Sequence, residues 1–291
     1  MDIVLHLGAH LTDEAQLRDC LRANQAGLSR AGVLVARPRD CLTPVLEAAS
    51  ALASERQITG FMAKLCDAVD ADDTTRRLVL SAPGLLARLP EVTDGRTLYP
   101  LVSERIRALR TMFDNQPTEV FLCIRNPATY IPAFLASAKS RHTQNVLENL
   151  SGESLRWSQL VTDLRTYWPE AALTVWCDED TPFLWHRILH EVAGVTPEGG
   201  FAKSYDWFRA VMVEGGAEKL EAYLEAAPPV DEQHRQKVIA AFLDKMCDES
   251  KLDVDISATG WDEASVDVLS ELYEDDVDLI GSIEGVRLLQ P

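Results

Sequence analysis

Short apolar runs alternate along this chain with longer stretches of helical period. Ile3-Val4-Leu5-His6-Leu7 is a continuous apolar run ending at Gly8, the pattern of a buried strand. From Asp13 to Ala31, Leu17, Cys20, Leu21, Asn24 and Leu28 recur near helical spacing. Gly32 stops that helix, and Val33-Leu34-Val35 predicts a second strand. Strand, glycine turn, helix and strand in so short a span make a βαβ unit, so the two strands run parallel.

The same reading continues downstream. Residues 42–72 predict two helical pieces divided near Gln57 to Gly60, and Leu78 to Ser81 is a strand halted by Pro83-Gly84. Tyr99 to Phe113 is an amphipathic helix with Arg105, Arg107 and Arg110 on its wet side. Val120 to Ile124 is the most convincing strand. A helix starts at about Pro127, another runs from Ser154 to Tyr167, and Leu173 to Trp176 is expected as the last core strand. Phe183 to Val192 is helical and Gly194 closes it. From Phe201 onward only helices are expected, the last from about Asp262 to Leu279 with a solvated acidic face. About five short strands alternating with helices predict an α/β protein, a three-layer α/β/α fold with a mainly parallel sheet. Residues 1–200 form that core, and residues 201–291 an acidic helical extension packing on it.

Charge narrows the partners. The 291 residues hold 28 Lys plus Arg against 46 Asp plus Glu, a net of -18. Residues 214–291 alone carry 6 basic and 20 acidic side chains. Such a surface repels phosphate backbones, so nucleic acid is not expected as a partner. The longest apolar-looking run, Ile131 to Ala138, falls far short of the roughly 18 residues a bilayer span needs, so no membrane partner is expected either. Met-Asp-Ile-Val leads straight into a strand without a secretory pattern, and a cytoplasmic location is expected. No two of the six cysteines lie closer than 21 positions, which excludes a CxxC redox or zinc site and suits a reducing compartment.

In a parallel sheet the first strand–loop–helix is the natural anion site, because N–H groups at a helix start carry partial positive charge. Here it reads His6-Leu7-Gly8-Ala9-His10-Leu11-Thr12-Asp13-Glu14-Ala15. It is not a Walker loop: GxxxxGK[ST] is absent and the first lysine is Lys64. Instead His-Leu-Gly-Ala-His-x-Thr resembles the loop of the bacterial sulfotransferases, members of the P-loop superfamily. Three further segments agree in order. Phe121 to Pro127, with its Arg125-Asn126-Pro127 turn, resembles the strand and turn that hold the donor's 3′-phosphate. Val175 to Asp180 resembles the family's late strand and Glu-Asp turn, and Tyr273-Glu274-x-Asp276-x-x-x-Ile280 its terminal helix.

The resemblance implies 3′-phosphoadenosine 5′-phosphosulfate (PAPS) as donor. In an active member Arg125 would hold the 3′-phosphate, while Gly8, Ala9, Leu11 and Thr12 would cradle the 5′ end and His10 would be the base. The loop departs from that pattern. Leu11 stands at the lysine, Asp13 at the glycine, and Glu14 and Ala15 at the two threonines; Ala133 replaces a serine and Thr129 an aspartate. Thr12 as N-cap, with Asp13 and Glu14 in the first turn, makes a self-sufficient helix start. The expectation is therefore a catalytically impaired relative that binds a small molecule or a protein partner without a resident cofactor. The alternative is an active sulfotransferase acting on a hydroxyl or amine.

Other clusters are read as structural. His6 is a strand-end core residue. His186 and His190 mark a polar helix face beside Trp185, with no metal site expected. Ser81 lacks the Gly-x-Ser-x-Gly elbow of a serine hydrolase. Lys139, Arg141 and His142 form a compact basic spot at a helix end.

Overall fold

Six parallel strands form one sheet in the order β2-β3-β1-β4-β5-β6. They are β1 (Asp2–Gly8), β2 (Val33–Val35), β3 (Arg77–Ser81), β4 (Thr118–Ile124), β5 (Ala172–Cys177) and β6 (Val286–Leu288). The computed structural model describes residues 1–291 except Glu14, Lys139, Asp253 and the side chains of Ser140, Arg141 and His142. The basic spot at 139–142 and the place of Glu14 in the first loop therefore lie outside the described residues.

Side chains alternate across the pleat, so each strand serves two cores. Val4, Val79, Phe121, Cys123 and Trp176 face one layer of helices. That layer holds α1 (Gln16–Ala23), α2 (Gln25–Arg30), α9 (Thr181–Ala193), α10 (Asp206–Val211), α11 (Gly216–Ala226) and α12 (Glu232–Met246). The short α13 (Glu249–Leu252) lies against α10. Ile3, Leu5, Leu80, Leu122 and Val175 face the other layer. It holds α3 (Pro38–Ala53), α4 (Phe61–Val69), α5 (Val102–Met112), α6 (Pro127–Ser137), α7 (Ser140–Asn149), α8 (Trp157–Tyr167) and α14 (Glu263–Ser282). This is the expected three-layer α/β/α arrangement.

Two expectations are corrected. The segment after residue 201 is not all helical, because β6 adds a sixth strand on the edge of β5, with Val286 opposite Leu173. Within this segment α10–α12 cover one face of the sheet and α14 the other. The helix expected from Asp13 to Ala31 starts at Gln16 and breaks at Asn24. The Asn24 side chain explains the break. Its Nδ2 donates to the carbonyls of Cys20 and Ala202, and its Oδ1 accepts from Ala202 N–H, bonds that compete with a continuous helix. Among the described residues no helix is long and apolar enough to cross a membrane.

Candidate functional site

The chain leaves β1 toward β2 and β3 on one side of the sheet, but leaves β4 toward β5 on the other. The carboxyl ends of β1 and β4 therefore border the topological switch point, where parallel α/β sheets open a crevice for ligands. The loops after these two strands carry Gly8 to Thr12 and Arg125, so the fold gathers the residues singled out in the sequence.

Gly8 makes the first turn possible. Its φ is +81°, and a Cβ there would stand 3.0 Å from the Pro83 side chain. The loop beyond it is bonded inward. Ala9 N–H donates to the Cys123 carbonyl at 2.6 Å, and His10 N–H donates to the Tyr99 hydroxyl at 3.0 Å. The Ala9 amide, expected to cradle the donor's 5′ end, and the neighbouring His10 amide are thus engaged within the protein. Thr12 is not the N-cap; its hydroxyl donates back to the Ala9 carbonyl at 2.9 Å. Asp13 takes over the helix start instead. Its Oδ1 accepts from Ala15 N–H at 3.2 Å and its Oδ2 from Leu17 N–H at 3.0 Å, at the first turn of α1. A buried carboxylate occupies the place where an anionic ligand would be received.

Arg125 is likewise engaged. Its Nη1 donates to the Leu11 carbonyl at 2.9 Å and its Nε to the Thr129 hydroxyl at 3.0 Å, with Asp178 Oδ2 at 4.0 Å. Burial pushes the Asp178 carboxyl up to about 7, although Arg125 pulls the other way. The neighbouring Glu179 joins two motifs: one oxygen accepts from Asn126 N–H at 2.8 Å, the other from the Tyr273 hydroxyl at 3.1 Å. The Asn126 side-chain amide in turn donates to Ser270 Oγ at 2.9 Å, on α14. Asp276, one turn along, caps α8 by accepting from Trp157 N–H at 2.6 Å and Ser158 N–H at 3.1 Å. The Trp157 indole then donates to the Arg125 carbonyl at 2.7 Å.

His10 lies half-buried, its Nδ1 2.9 Å from the Tyr99 hydroxyl. Burial lowers its pKa to about 4, so the ring is neutral at pH 7 and a poor resting place for a proton. Burial pushes the Tyr99 phenol up to about 12, and its oxygen stands 3.4 Å from that of Tyr130. Tyr99 itself sits at φ 53°, strained for a bulky residue and pinned by these bonds. No motif in the chain marked this role.

Three further histidines are held by their neighbours. His6 is buried and stacked on Trp176, with Nδ1 2.8 Å from Ser81 Oγ, which hides that hydroxyl from substrate. His186 packs edge-on against Tyr205, and His190 bonds Thr196 Oγ1 at 2.9 Å. Among the described residues no group of His, Cys, Asp and Glu is placed to hold a metal ion. Arg105 departs from its expected place on the wet side of α5: it is half-buried, and its Nη1 is shielded from water without a hydrogen-bond partner. Compared with protein-family models, curated proteins and solved structures, the chain matches none.

Proposed function

We propose that this chain is a sulfotransferase-like protein that has lost donor chemistry and works by binding a partner. The family reading is supported by convergence. Four segments chosen for their resemblance, far apart in sequence, are hydrogen-bonded around one crevice through Arg125–Leu11, Asn126–Glu179 and Tyr273–Glu179. The loss of chemistry rests on one observation, the Asp13 carboxylate seated on the amides of Ala15 and Leu17. A phosphate about 5 Å from that charge would be repelled by roughly 3 kcal/mol at an effective dielectric near 20, more than a hundredfold in affinity. Arg125, the one cation expected to repay that cost, faces Asp178 and is bonded to the Leu11 carbonyl and Thr129. The acidic C-terminal part argues against nucleic acid as the partner, and six free cysteines suit the reducing cytoplasm.

Calorimetric titration with 3′,5′-adenosine bisphosphate, the desulfonated donor, tests this reading. No binding is expected at millimolar ligand. Micromolar binding that weakens in Arg125→Ala would overturn it and restore an active sulfotransferase.

A further inference from the structure

A cavity of about 780 Å³ opens between α3 and α5, sharing Tyr99 with the crevice. Its size is ordinary for a small-molecule site. The walls combine two chemistries. Leu86 and Tyr99 are fully buried at its inner side, Leu46 and Leu52 on α3 are half-buried, and Leu101 stands 64% exposed beside them. Three arginines and two glutamates also line it, a net positive site in a chain of net -18.

The arginines are not equivalent. Arg88 is bonded to Glu91, its Nε donating at 2.8 Å. The Arg107 guanidinium lies over the Tyr167 ring at 4.2 Å from the centroid. Arg105 remains, its Nη1 shielded from water without a hydrogen-bond partner and its charge close enough to act on Glu91. Water-shielded guanidinium nitrogens are almost always hydrogen-bonded, because leaving one unpaired is costly. No acceptor among the described residues bonds the Arg105 guanidinium, and a carboxylate matches its fork in geometry and charge. Leu46, Leu52 and Leu101 offer an apolar surface suited to an alkyl chain.

We propose that this cavity binds a carboxylate with an aliphatic chain, its headgroup on Arg105 and its chain against Leu46, Leu52 and Leu101. The proposal goes beyond the reading of the crevice and does not rest on it, because a different ligand tests each.

Isothermal calorimetry on the full chain decides it, with decanoate as the probe. Acetate carries the headgroup alone and decyltrimethylammonium the chain with opposite charge. Decanoate should bind in the micromolar range, acetate not measurably, and the ammonium far more weakly. Arg105→Gln should weaken decanoate about tenfold to a hundredfold. Ala53→Trp, at an exposed position lining the cavity, should weaken it without altering charge. Far-UV circular dichroism of both variants confirms folding, and should Arg105→Gln fail to fold, Ala53→Trp and the two control ligands decide. No heat with 1 mM decanoate, equal binding of the ammonium, or unchanged affinity in the folded variants would overturn the proposal. So would co-sedimentation with phosphatidylglycerol vesicles without binding of free decanoate, since the ligand would then be a membrane surface.

Discussion

The Arg125 guanidinium meets the Leu11 carbonyl at 2.9 Å across the crevice between β1 and β4, although the two residues are 114 positions apart. This bond ties the first loop of the fold to the turn after its central strand. A charged donor on a neutral acceptor contributes about 1.5–3 kcal/mol. Arg125→Ala should lower unfolding free energy by about that amount in urea titrations, with Arg125→Lys falling between. An unchanged midpoint for Arg125→Ala would mean the strap carries no load.

Asp178 gives stability a pH dependence of defined sign. Its carboxyl titrates at about 7 when folded, raised by burial from the ordinary aspartate value of 3.8. Between those values the folded chain holds a proton that the unfolded chain has released. Its contribution is therefore greatest below pH 4 and is lost as pH rises to about 7. Asp178→Asn removes the titration, so the variant should gain on the parent between pH 4.5 and 7.5, by up to about 3–4 kcal/mol. Parallel stability curves for the two proteins would contradict this.

His186 acts in the opposite direction. Burial lowers its pKa to about 4, so the unfolded chain takes up a proton first as pH falls. The stability lost between about pH 6.5 and 4 is roughly 3 kcal/mol. His186→Phe, which keeps a ring against Tyr205, should show a smaller drop in melting temperature from pH 7 to pH 4.5.

Asp276 supplies the helix start of α8 from another helix. Asp276→Ala leaves the amides of Trp157 and Ser158 buried and unpaired, at a cost of about 3 kcal/mol. Both amides donate to the same oxygen, Oδ2, so Asp276→Asn can keep both bonds and should lose well under half as much. Chemical denaturation separates the two values.

Ala15 precedes α1 at φ 71°, in the left-handed region. Ala15→Gly should therefore stabilise the chain by about 1 kcal/mol, the relief of strain exceeding the added freedom of the unfolded chain. A lower melting temperature for Ala15→Gly would show that the loop holds its shape at no cost.

The layer architecture was legible because it is written in short-range pattern. The runs Ile3 to Leu7 and Val120 to Ile124 are apolar on both faces, as strands buried between two helical layers must be. The spacing of strand, Gly8 turn and helix permitted only a parallel crossover. The departures of Leu11 and Asp13 from the resembled loop were also visible, because they are matters of residue identity.

Partnership was not legible. Sequence placed Thr12 as the cap and Arg105 in water, but in the fold Asp13 reaches the amides of α1 and Arg105 is folded into a cavity wall. The three residues of β6 carry too little pattern to announce a strand; β5 recruits them with its free edge. Tyr99 meets His10 across 89 residues, and no local period encodes such a meeting. Amino-acid order by itself determined the five core strands, most of the helices and which loop residues bear charge. Tertiary structure alone decided where each charge finds its counterpart, because hydrogen bonds between distant segments form only after the packing of apolar faces has set the distances.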